Sequence, residues 1–111
     1  MKHCLALDLK NDAALIAEYD EWHRNVWPEI KKSISDSGIR QMEIYRTANR
    51  LIMFIDADDT FSFEKKAAMD EGNAKVQEWE KLMWKFQQPL PHAKPGQKWI
   101  VCEKVFSLTG E

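Results

Sequence analysis

Ile39-Arg-Gln-Met-Glu-Ile-Tyr-Arg46, the link Thr47-Ala48-Asn49, and Arg50-Leu-Ile-Met-Phe-Ile-Asp-Ala57 together decide the fold. Both flanking runs are rich in β-branched, aromatic and long apolar residues, and a three-residue link between them allows only a reversal. The stretch therefore predicts an antiparallel hairpin. Apolar residues run almost continuously through its strands instead of alternating cleanly, a pattern that belongs to a sheet covered on both faces.

Upstream, Leu5, Leu7 and Leu9 alternate with Cys4, Ala6 and Asp8, which predicts a strand over residues 3–9 with one strongly buried side. Asn11-Asp12 offers N-cap chemistry, and an apolar stripe from Leu15 to Ile34 fits a long amphipathic helix. Pro28 removes an amide donor and disfavours helix at Trp27, so a kink or restart is expected there, with Glu29 in the new first turn. Gly38 is a stop signal. Downstream, Asp58-Asp59-Thr60 ends the hairpin and can cap the next element. Residues 61–86 read as helix interrupted near Gly72, clearest over Ala74–Phe86. The segment 87–97, with Pro89, Pro91, Pro95 and Gly96, reads as loop, and 98–108 as the last strand.

The resulting order, β-α-β-β-α-β, is the ferredoxin-like plan: an α+β fold with a four-stranded antiparallel sheet and helices on one face. The sheet's second apolar face then needs a cover, which predicts a homodimer closed as a dimeric α+β barrel.

At 111 residues the chain fits one domain, 1–111, with enough length for a core. A formal charge of -2 gives no basic footprint for nucleic acid, and no apolar run approaches the ~20 residues of a membrane span. Met1-Lys2-His3-Cys4 lacks the apolar segment of a signal peptide, so the expected location is cytoplasmic. In that setting Cys4 and Cys102 read as free thiols, and a bridge is conceivable only if their strands are neighbours. No CxxC or HxxxH spacing suggests a metal, and the run Asp56–Asp59 lacks the order of a calcium loop. His3 and His92 read as surface residues.

The stretch with chemical content is Tyr19-Asp-Glu-Trp-His23-Arg-Asn-Val-Trp27-Pro28-Glu29. Tyr19 and His23, four residues apart, share a helix face, and Trp27 extends the stripe if the helix reaches Pro28. An imidazole titrates near neutrality and suits acid–base work, although a lone His is as readily a hydrogen-bonded structural residue. Tyr19 can support His23 from the same helix face or be a boundary residue with its hydroxyl in water. Trp79 and Tyr45 could be walls for a sugar ring or packing residues.

Tyr19-x-x-x-His23-x-x-x-Trp27-Pro28-Glu29, with Gly38, Ile44-Tyr45 and Glu78-Trp79-Glu80-Lys81-Leu82-Met83, resembles the L-rhamnose mutarotase family over essentially the whole chain. The resemblance implies a dimeric ferredoxin-like barrel and an isomerase that interconverts the α and β anomers of a 6-deoxy-L-sugar. It implies His23 as proton donor, with Tyr19, Met42, Trp79 and Glu80 contacting sugar, and no cofactor or metal. Met42 stands where the family usually has Tyr, and Glu80 where it often has a second Trp, which leaves L-rhamnose and L-fucose both open as substrate. On this reading His23 protonates the ring oxygen, Tyr19 orients or relays at the anomeric hydroxyl, and Trp27 and Trp79 pack on the apolar sugar face. The same fold plan also hosts haem-handling monooxygenases and non-catalytic binding modules.

Overall fold

The expected hairpin forms the edge of the sheet in a computed structural model that describes residues 1–110. Strands β2 (Ile39–Thr47) and β3 (Arg50–Ala57) pair antiparallel from Thr47 opposite Arg50 to Met42 opposite Ile55, with Ala48 in the turn at φ 50°. Strand β1 (Lys2–Leu9) lies against β3, Leu5 opposite Met53 and Leu7 opposite Leu51. Two short strands, β4 (Gln87–Gln88) and β5 (Ile100–Val101), share the other edge of β1. The order β2-β3-β1-β4 is that of the ferredoxin-like plan.

Four helices cover one face: α1 (Ala13–Trp22), α2 (Pro28–Asp36), α3 (Phe63–Glu71) and α4 (Ala74–Trp84). Asp12 caps α1, as its place before the apolar stripe predicts, by accepting from the Leu15 amide at 3.1 Å. The break before α2 is the effect of Pro28. Trp27 takes an extended conformation (φ -56°, ψ 136°), and Pro28 occupies the first helical turn, where no donor is needed. Gly38 stands at φ 101°, and a Cβ there would meet Asp58 Oδ1 at 2.7 Å, so only glycine fits between α2 and β2. Ser62, not the Asp58–Thr60 run, caps α3, accepting from the Lys65 amide at 3.0 Å.

The core lies between sheet and helices. Leu9 and Leu51 from the sheet are fully buried beneath Tyr19, Ile30, Val76, Trp79, Met83 and Phe86, and Leu7 is fully buried as well. The opposite sheet face is bare in places: Tyr45 and Phe54 meet edge-to-face at 5.8 Å and are 56% and 46% exposed.

Two strand expectations need correction. Gln87–Gln88, within the predicted loop, bridges Leu9 and Asp8 of β1. The last strand, expected over 98–108, forms only at Ile100–Val101. The register of β5 on β1 accounts for the loss of its far end: with Leu5 opposite Val101 and β1 beginning at Lys2, the chain has no further strand to offer residues 105–108. Val105, Phe106 and Leu108 are therefore 95%, 75% and 90% exposed.

The terminal strands are neighbours. The Cys102 amide donates to the Cys4 carbonyl at 2.7 Å, and both thiols are free. His3 is half-buried rather than fully on the surface, packed on Phe63 at 4.9 Å and Phe61 at 5.8 Å, while His92 is exposed. Among the described residues no helix is long and apolar enough to cross a membrane.

Candidate active site

The last turn of α1 builds the site. Tyr19 is 3% exposed and lies in the core, and His23 succeeds it as the helix C-cap. The four-residue spacing stacks the two rings, with centroids 4.1 Å apart and planes tilted by 31°. His23 Nδ1 lies 2.8 Å from the Tyr19 carbonyl oxygen, which also accepts from the His23 backbone amide at 3.3 Å. A carbonyl can only accept, so Nδ1 carries the hydrogen and donates it. In the neutral ring Nε2 then holds the free lone pair.

Burial favours that neutral form. It pulls the His23 pKa below its ordinary value, against smaller opposing effects of the Tyr19 carbonyl and the Asp20 carboxylate. Burial also pushes Tyr19 well above the usual phenol range, with Asp20 adding to the rise and a hydrogen bond with Gln87 partly countering it. The site at neutral pH therefore holds an intact phenol and a neutral imidazole. Asp20 turns outward and takes Arg46 of β2 in two hydrogen bonds of 3.0 and 2.6 Å, which ties the last turn of α1 to the sheet.

Trp79, on the buried stripe Val76-Trp79-Met83 of α4, closes the other side of His23, edge-to-face at 5.7 Å. Behind Trp79 stand Trp27 at 5.0 Å and Trp22 at 6.3 Å, both near-perpendicular. Tyr19, His23 and Trp79 line a cavity of about 910 Å³ between helices and sheet, large enough for a small ligand.

Of the residues singled out in the sequence, Tyr19, His23, Met42, Trp79 and Glu80 line this one cavity. Trp27 and Tyr45 do not. Helix α1 stops at Trp22, so Trp27 leaves the Tyr19–His23 stripe and braces Trp79 from outside. Tyr45 falls on the bare sheet face with Phe54, because Met42 and Ile44 of the same strand face the cavity and side chains alternate. Sequence reasoning misses Gln87, Lys66 and Asp70, all of which line the cavity. The last two carry a signal: Phe63, Lys66, Ala67 and Asp70 stand at helical spacing, with charges where an inward stripe is normally apolar.

The sequence model of the L-rhamnose mutarotase family matches residues 2–108. The chain belongs to that family. Its members are isomerases that interconvert sugar anomers. Among its relatives, an L-fucose mutarotase of Xanthomonas campestris is 44% identical over 108 residues, covering 96% of this chain and 86% of the relative. An L-rhamnose mutarotase of Phocaeicola vulgatus is 31% identical over 78 residues, covering 70% and 69%. The crystal structure of an L-rhamnose mutarotase from Formosa agariphila superimposes with a TM-score of 0.71 over 97% of this chain and 98% of that one, at 23% identity. Tetracenomycin F2 cyclase from Streptomyces glaucescens, at TM-score 0.57 and 16% identity over 96% and 95%, shares the fold plan alone. The mutarotase family thus includes relatives named for two different sugars.

Proposed function

We propose that this mutarotase interconverts the α and β anomers of a 6-deoxy-L-sugar by general acid–base catalysis at His23, with L-rhamnose as the first candidate substrate and L-fucose as the second. The family match supports the first sugar, and the relative at 44% identity supports the second.

The observation that carries the mechanism is the state of His23: neutral by burial, its Nδ1 hydrogen engaged by the Tyr19 carbonyl, on the wall of a cavity faced by an indole. Mutarotation moves one proton between two oxygens bonded to the same carbon. Nε2 takes the proton of the anomeric hydroxyl, and the imidazolium so formed delivers it to the ring oxygen as the ring C–O bond breaks. Rotation about the bond from C1 to C2 and the reverse transfer close the ring on the other face. His23 is then the donor to the ring oxygen, yet rests neutral between turnovers. Tyr19, held as a phenol, orients the reacting oxygens, and Trp79 packs on the apolar face of the ring. Met42 and Glu80 complete the sugar contacts. Acid–base assistance of this kind contributes roughly 10²–10⁴-fold.

The working unit on this proposal is a homodimer of one mutarotase-like domain, 1–111, acting in the cytoplasm without cofactor or metal. Tyr45 and Phe54 on the bare sheet face, and Val105, Phe106 and Leu108 beyond the last paired residue, supply apolar surface for a second copy. Two adjacent free thiols suit a reducing compartment.

Magnetisation-transfer NMR on the equilibrium anomers of each sugar tests the activity. Exchange above the buffer rate that disappears in a folded His23→Ala variant is the expected result. A folded variant that keeps the full rate contradicts the role of His23.

A further inference from the structure

Helix α3 departs from the logic of the other three. A helix on a sheet normally turns an apolar stripe inward. The stripe of α3 that faces the cavity is Phe63, Lys66, Ala67 and Asp70, and no residue of α3 is buried. Helix α4, by contrast, buries Val76, Trp79 and Met83. Helix α3 is therefore a polar wall beside the cavity and contributes little to the core.

The centre of that wall is an ion pair. Lys66 Nζ donates to Asp70 Oδ2 at 2.7 Å, and the two side chains are only 22% and 15% exposed. Taking both charges largely out of water costs desolvation, and apolar residues of similar volume commonly serve stability as well or better. Stability alone is a poor account of the pair. The pair also has bonding capacity left over. An ammonium has three hydrogens and a carboxylate about four acceptor sites. Among the described residues, Asp70 Oδ1 has no protein donor, and Lys66 Nζ has no acceptor beyond Asp70. The bonds from the Gln77 side chain and the Asn73 amide go to the Asp70 backbone carbonyl, not to its carboxylate. Asp70 Oδ1 keeps some accessible surface, since no buried side-chain nitrogen or oxygen among the described residues lacks a partner, and Lys66 and Asp70 both line the cavity.

A carboxylate oxygen beside ammonium hydrogens matches two neighbouring hydroxyls of a polyol: one donates to Asp70 and the adjacent oxygen accepts from Lys66. A hydroxyl of the opposite configuration leaves the spare acceptor of Asp70 and the spare hydrogens of Lys66 without a sugar partner, and polar groups of a site left unsatisfied are a source of discrimination. We propose that the Lys66–Asp70 pair is the configuration-reading subsite of the cavity, binding two vicinal hydroxyls of the sugar whose anomeric carbon lies at His23. This rests on the mutarotase reading above. Both are specificity-determining residues with no part in the proton transfer.

The test compares wild type with Asp70→Asn and with the double variant Lys66→Met/Asp70→Leu, which removes both charges without orphaning either. Saturation of the exchange rate is measured for L-rhamnose, L-fucose and the deoxy analogues lacking one ring hydroxyl, alongside thermal unfolding. Hydrogen bonds to charged groups correspond to roughly 10–100-fold in affinity. The expected result is a KM raised by about that factor in the double variant, with kcat within a few-fold and unfolding no earlier than wild type. The rhamnose-to-fucose preference should move towards one. Removing the contacted hydroxyl should weaken wild type but not the variant. If the double variant does not fold, Asp70→Asn decides through the same preference ratio, shifted about 10-fold. A folded variant with unchanged KM and preference, in a protein that exchanges the sugars, overturns the subsite and leaves the mutarotase reading standing. A wild type that exchanges neither sugar overturns both.

Discussion

The two walls of the cavity are built on opposite principles. The wall formed by α1 and α4 is largely aromatic, and the two buried titratable groups of α1's end are held uncharged: Tyr19 by a raised pKa, His23 by a lowered one. The α3 wall buries none of its own residues and keeps a full ion pair at Lys66 and Asp70. Neutral groups free to exchange a proton serve chemistry, whereas fixed charges serve recognition. On the proposed reading, one cavity separates the step common to all pyranoses from the feature that distinguishes one sugar from another.

The comparison can be broken most sharply at its aromatic wall. His23→Ala should lower the saturated exchange rate by roughly 10²–10⁴-fold, with circular dichroism unchanged. Equal loss in KM alone would place His23 in binding instead. Trp79→Ala should act on both stability and binding. Removing a buried indole costs about 3–5 kcal/mol, read by chemical denaturation, because Trp79 supports Trp22, Trp27 and His23 together. Tyr19→Phe should be milder. It keeps the ring stack and loses only the hydroxyl, so a decrease of about 5- to 10-fold in kcat is expected from one hydrogen bond.

The pH dependence derives from the neutral His23. Its folded pKa lies below its ordinary 6.5, so the folded state resists protonation that the unfolded chain accepts. That contribution to stability is complete above 6.5 and is lost as pH falls from there through the folded value. Catalysis by neutral imidazole shares the direction: kcat should be level from about pH 7 to 8 and decline only at acid pH, with the acid limb gone in His23→Ala. A rate that rises as pH falls through the same range would make the imidazolium the resting acid. The smallest effect is expected outside the cavity. Arg46→Met removes an ion pair with Asp20 that is about a third exposed, and should change stability by less than about 1 kcal/mol.

The parts of the molecule legible in the sequence are those held by local interactions. The hairpin, the Asp12 cap, the break at Pro28 and the glycine at 38 each depend on a few adjacent residues, and all appear where read. The Tyr19–His23 stack depends only on helical spacing. Placing Trp27 requires knowing that α1 ends five residues earlier, at Trp22. Tyr45 is excluded by parity: it stands three residues from Met42, and a strand puts odd separations on opposite faces. The far end of the final strand is missing because its propensity is strong while its partner is absent. Residues 105–108 extend beyond the start of β1, and no local pattern reveals where a neighbouring strand runs out. Lys66 and Asp70 escape a sequence reading for another reason. Charges at helical spacing usually mark a solvated face, and only the cavity beneath α3 distinguishes a recognition wall from one.

The most direct test of the account is anomer exchange of L-rhamnose and L-fucose, monitored by magnetisation transfer with wild-type protein and with folded His23→Ala. The account predicts exchange above the buffer rate on at least one of the two sugars, lost in the variant. Exchange at the buffer rate on both sugars, from folded wild-type protein, would contradict it.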